Sequence, residues 1–64
     1  MDNWQKMLFA DGNGAIAEIK RIYNLYCLTV WVNKRSVYYY RVSFPTYRKA
    51  RKQLASMSHN FRMM

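Results

Sequence analysis

A chain of 64 residues with a net charge of +8, 52% hydrophobic and 17% aromatic, allows one small domain spanning 1–64 and excludes a disordered polymer, which lacks such apolar content. The lone cysteine, Cys27, and the lone histidine, His59, exclude an internal disulfide and a conventional zinc site. No run approaches the roughly 20 apolar residues of a spanning helix and no leader-like segment opens the chain, so a cytoplasmic protein with no cofactor and no bound metal is expected.

WQKMLFA, Trp4 to Ala10, is a short apolar segment. Asp2 can cap a helical turn there, with Trp4, Met7 and Leu8 on one side, covering an edge of the core. DGNG, Asp11 to Gly14, holds both glycines of the chain and reads as a turn. It has neither the acid count of a calcium loop nor the GK[ST] ending of a phosphate loop. Residues 15–23 fit two patterns. Ile16, Ile19, Ile22 and Tyr23 share one face of a helix, whereas Ala17, Ile19, Arg21 and Tyr23 alternate with Glu18, Lys20 and Ile22 in a strand. The β-branched content and the turn-forming Asn24 favour the strand.

LYCLTVWVNKRSVYYYRVSF, residues 25–44, reads as a β-hairpin turning near Lys34 and Arg35. A three-residue loop, Lys34-Arg35-Ser36, sets the row Tyr26, Leu28, Val30 and Val32 on the same side as Tyr38, Tyr40, Val42 and Phe44. The opposite side then carries Cys27, Thr29 and Trp31 across from Ser43, Arg41 and Tyr39. After Pro45, with Thr46 as N-cap, a helix over 47–58 is expected, its stripe made of Tyr47, Ala50, Leu54, Met57 and Phe61. Arg48, Lys49, Arg51 and Lys52 lie off that stripe. The fold class so predicted is α+β: a small three-stranded antiparallel sheet, its hairpin at 25–44, packed on a C-terminal helix. The face with Trp31, Tyr39 and Arg41 is left open unless the N-terminal segment folds over it.

The stretch from EIKRIYN through YCLTVWVNKRSVYYYRVSFPTYRKARKQLASM resembles the AP2-type DNA-binding domain and the related arm-binding domain of tyrosine recombinases. Phe44-Pro45-Thr46 and Ala50 stand where that family has F-x-T and the alanine of its helix. Ser43 replaces the glycine usual before the Phe, and basic residues replace the acid usual early in the helix. The resemblance implies that the exposed sheet face enters the DNA major groove through Arg21, Thr29, Trp31, Tyr39 and Arg41. In length and basicity the chain is also similar to small phage-type proteins.

Charge points the same way. Asp2, Asp11 and Glu18 are the only acids, and from Ile19 to Met64 there are ten Lys or Arg residues and no acid. Such a field attracts polyanions. Arg48 and Lys49 sit at a helix start, where cations are unfavourable and phosphates are welcome. Lys34 and Arg35 at the hairpin tip, with Arg51 and Lys52, add candidate phosphate contacts, while Trp31 and Tyr39 can stack on bases and Arg41 or Arg21 can read guanine. Hydrolytic catalysis needs paired carboxylates or a nucleophile–base pair. The scattered Asp2, Asp11, Glu18, Cys27 and His59 do not supply one, so no catalytic residue is expected. The reading is a non-enzymatic nucleic-acid binder, with double-stranded DNA ahead of RNA. Its rival is a small interaction protein that docks on an acidic surface of a larger host protein and inhibits or redirects it. Membrane binding is disfavoured because the narrow apolar stripe is needed for the core. Pairing with a second copy would supplement so small a core.

Overall fold

The computed structural model describes residues 6–32, 37–58 and 60–64, without the side chains of Val37 and Tyr39. The element order is β1 (Lys6–Ala10), β2 (Ile16–Ile22), β3 (Leu25–Val32), β4 (Val37–Phe44), α1 (Tyr47–Met57) and β5 (Arg62–Met63). The strands form one five-stranded antiparallel sheet in the order β4-β3-β2-β1-β5. This corrects the predicted three-stranded sheet: two more strands extend it beyond β2.

The first addition replaces the expected helical turn. Residues 6–10 pair with β2 from Lys6↔Lys20 to Ala10↔Ile16. Five residues are too few for a stable helix of their own, whereas the Asp11–Gly14 loop returns the chain for backbone pairing. Asp11 Oδ1 accepts from the backbone N–H of Asn13 at 2.7 Å and of Ala15 at 3.1 Å. Gly12 and Gly14 take φ of 82° and 99°, a region that L side chains avoid. Alternation turns Phe9 into the core at 0% exposure. Asp2 and Trp4 lie outside the described residues. The second addition is β5, where Phe9 faces Met63 and Ala10 faces Arg62, and Met64 N–H donates to the Leu8 carbonyl at 2.9 Å.

Residues 16–22 are a strand, as favoured, and a two-residue connection, Tyr23-Asn24, joins β2 to β3. Tyr23 has φ 57°, a conformation that costs a non-glycine residue about 1–2 kcal/mol. Tyr23→Asn should therefore raise stability by about 1 kcal/mol, since Asn tolerates this region. An unchanged or lowered melting temperature would show that the ring, not the backbone, governs this turn.

The β3–β4 register is the expected one over most of its length: Tyr26↔Phe44, Leu28↔Val42 and Val30↔Tyr40. Beyond Val30 a bulge shifts it, so that Trp31 faces Tyr38 and Val32 faces Val37, and Tyr39 is the extra residue. The expected loop of Lys34, Arg35 and Ser36 lies outside the described residues. Tyr38 moves to the open face, 48% exposed, in place of the inward position expected for it.

Helix α1 ends one residue short of its expected limit. Thr46 Oγ1 accepts from Lys49 N–H at 3.2 Å, and Ser58 N–H closes the other end on the Leu54 carbonyl. The helix lies on the Tyr26/Leu28/Val30 side of the sheet. The buried core comprises Phe9, Ala17, Ile19, Leu28, Val30, Ala50 and Leu54, with Tyr26, Tyr40, Phe44, Tyr47, Met57 and Phe61 packed round it.

Candidate nucleic-acid interface

The fold separates the predicted site residues into two groups on opposite faces of the sheet. On the open face the register aligns Trp31 with Tyr38, Thr29 with Arg41 and with Glu18, and Cys27 with Lys20. No described segment covers this face, because β1 extends the sheet sideways instead of folding over it. Its own side chains cover it. The Arg41 guanidinium lies 4.4 Å above the Tyr38 ring, and its Nε donates to Thr29 Oγ1 at 3.3 Å. Thr29 is left 2% exposed and cannot reach a base edge. Lys6 Nζ lies 3.9 Å from Glu18 Oε2, whose side chain is 12% exposed. On this face Arg41 is engaged by Tyr38 and Thr29, Lys6 lies beside Glu18, and Lys20 is exposed.

Arg21 does not belong there. It is in phase with Ala17 and Ile19, both buried beneath the helix, and opposite Tyr26. Its guanidinium is 6.0 Å from the Tyr26 ring centroid. Tyr26 meets Tyr47 edge to face at 6.2 Å and 65°. Arg51 continues the row: it is 6.0 Å from the Tyr47 ring, donates from Nη1 to the Tyr47 hydroxyl at 3.1 Å, and lies 4.8 Å over Phe9. Cation and ring thus follow one another from β2 across β3 and up the helix: Arg21, Tyr26, Tyr47, Arg51. Each contact holds a long side chain in a limited set of positions, each worth about 0.5–1 kcal/mol at an exposed site.

Arg48, Lys49 and Lys52 surround this row, all exposed, and none makes an ion pair with a described residue. Arg48 and Lys52, four apart, repel each other by a few tenths of a kcal/mol. Neither described acid is near to offset them. Glu18 is on the other face, and Asp11 is in the β1–β2 loop, at the far end of the sheet from the helix start. The β2–β3 turn is at the same end as the helix start, since Tyr26 pairs with Phe44 and touches Tyr47. Lys20, Arg21, Arg48 and Lys49 therefore gather at one end of the molecule.

Of the predicted contacts, Arg21, Arg48, Lys49, Arg51 and Lys52 come together on the helix side. Thr29, Trp31 and Arg41 are on the other side, Tyr39 is the bulge residue, and Lys34 and Arg35 lie outside the described residues. Tyr26 and Tyr47 were assigned only to the core, and strand alternation with helical periodicity would have placed them beside Arg21 and Arg51. Tyr23, read from the sequence as a strand residue in phase with Ala17, Ile19 and Arg21, belongs instead to the turn that Asn24 was expected to make. Among the described residues no group of three or more His, Cys, Asp or Glu side chains can hold a metal, and no helix is long and apolar enough to cross a membrane. No protein-family model, characterised protein or solved structure matches the chain.

Proposed function

We propose that the protein is a non-enzymatic nucleic-acid-binding module of the cytoplasm. It takes double-stranded DNA ahead of RNA and grips the phosphate backbone with the helix side of the molecule, where the resemblance alone would use the open sheet face. The observation that carries this reading is the row Arg21, Tyr26, Tyr47, Arg51, flanked by Arg48, Lys49 and Lys52 with no described acid beside it. Ring contacts and the Tyr47 hydroxyl restrict the Arg51 guanidinium before any ligand arrives, and Tyr26 restricts Arg21 more loosely, so less ordering entropy opposes binding. The three flanking cations raise the local potential and would each release counterions on meeting a phosphate.

The test is fluorescence anisotropy with a short random duplex, titrated at several salt concentrations around physiological. Micromolar binding is expected, with a log–log salt slope of about −3 or steeper, because each neutralised phosphate contributes about −0.9. Absence of binding would remove the nucleic-acid reading and leave an acidic protein surface as the partner to seek.

A further inference from the structure

The β2–β3 turn carries an unexplained expense. Tyr23 occupies the left-handed region, φ 57°, where Gly or Asn would sit without strain. Packing does not repay this, since Tyr23 is 91% exposed. Its neighbours Ile22 and Leu25, paired across the base of the turn, are 43% and 45% exposed. Three apolar side chains thus protrude from one tip. A strained, solvent-facing aromatic argues from conformation toward function. The occupant is indicated by the surroundings: Lys20 and Arg21 immediately precede the tip, and the Arg48/Lys49 start of the helix lies at the same end of the sheet. A flat ring with aliphatic shoulders and a rim of cations complements a base face with phosphates on either side.

We propose that Tyr23 stacks on an unpaired or unstacked base, with Ile22 and Leu25 as the shoulders of the wedge and the adjoining cations on the flanking phosphates. This rests on the nucleic-acid reading above and adds to it a preference for disrupted over intact duplex, because a fully stacked helix offers no free base face. The test compares two probes by anisotropy: an intact duplex and the same duplex with a central unpaired bubble. The unaltered protein should bind the bubble about five- to a hundredfold more tightly, the range measured for removing one aromatic–base stack. Tyr23→Phe should keep that preference. Tyr23→Asn, which suits the backbone and so folds, should abolish it with the salt slope unchanged.

Equal binding of both probes by the unaltered protein, with a steep salt slope, would overturn the wedge and leave phosphate binding intact. No binding to either probe would overturn both. Binding to phosphatidylserine-containing vesicles that Tyr23→Asn destroys, with no difference between the two DNA probes, would overturn the wedge in favour of a lipid surface.

Discussion

Phe9→Ala should leave little of the protein folded. Phe9 is wholly buried, and Arg51 lies across its ring, so truncation removes both a core side chain and the platform under a cation. Such a change costs about 3–5 kcal/mol, which equals what a core of this size supplies in total. Circular dichroism should show most of the ordered signal gone at room temperature. Leu8→Ala is the matched control. Leu8 is the half-buried neighbour on the opposite face of β1, and its truncation should cost only about 1 kcal/mol, a shift of some 4–8 °C in a domain this small. A helical turn with Met7 and Leu8 facing inward requires the reverse order of damage. Finding Leu8→Ala the more harmful of the two would disprove the placement of β1.

What could be read from the sequence, and what could not, follows from the length and regularity of each signal. The β3–β4 register was readable because Tyr26, Leu28 and Val30 alternate cleanly with Cys27 and Thr29, and a one-residue slip would have set Leu28 against Arg41. The bulge falls at the one place where alternation carries no information. Tyr38, Tyr39 and Tyr40 are the same residue, so a shift by one leaves the pattern unchanged. Residues 7–10 offered consecutive apolar side chains, which fit a turn of helix as well as a strand, and only pairing with β2 decides between them. The two residues of β5 are too short for any period.

In the site the difficulty was different. The in-phase run Ala17, Ile19, Arg21 already places Arg21 on the helix side once the segment is a strand, but the family resemblance assigned it to the open face. The helix cations were legible because they fall off the Tyr47, Ala50 and Leu54 stripe and follow the Thr46 N-cap. Tyr23 was missed because turn rules look for Gly, Asn or Asp, and an aromatic residue there breaks the rule. Departures of that kind concentrate at functional positions.

The same logic makes Lys49→Glu the most informative change at the helix. Thr46 is the N-cap and Lys49 is three residues on, with its N–H already bonded to Thr46 Oγ1. A glutamate at Lys49 would complete a capping box by reaching back to the Thr46 N–H, which donates to no described residue. It would also replace an unfavourable cation in the first turn, which at present holds no acid, with a favourable anion. The variant should therefore be more stable by about 1 kcal/mol. Nucleic-acid binding should move the other way. Loss of one charge-assisted phosphate contact lowers affinity by about 10- to 100-fold, and the salt slope should become shallower by about 1 or more. Opposite signs in the two measurements would mean that the helix start gives up folding stability in order to hold an anion. A variant that is both more stable and unimpaired in binding would show Lys49 to be an unoptimised surface residue, and phosphate contact would then have to come from Arg21, Arg48, Arg51 and Lys52 without it.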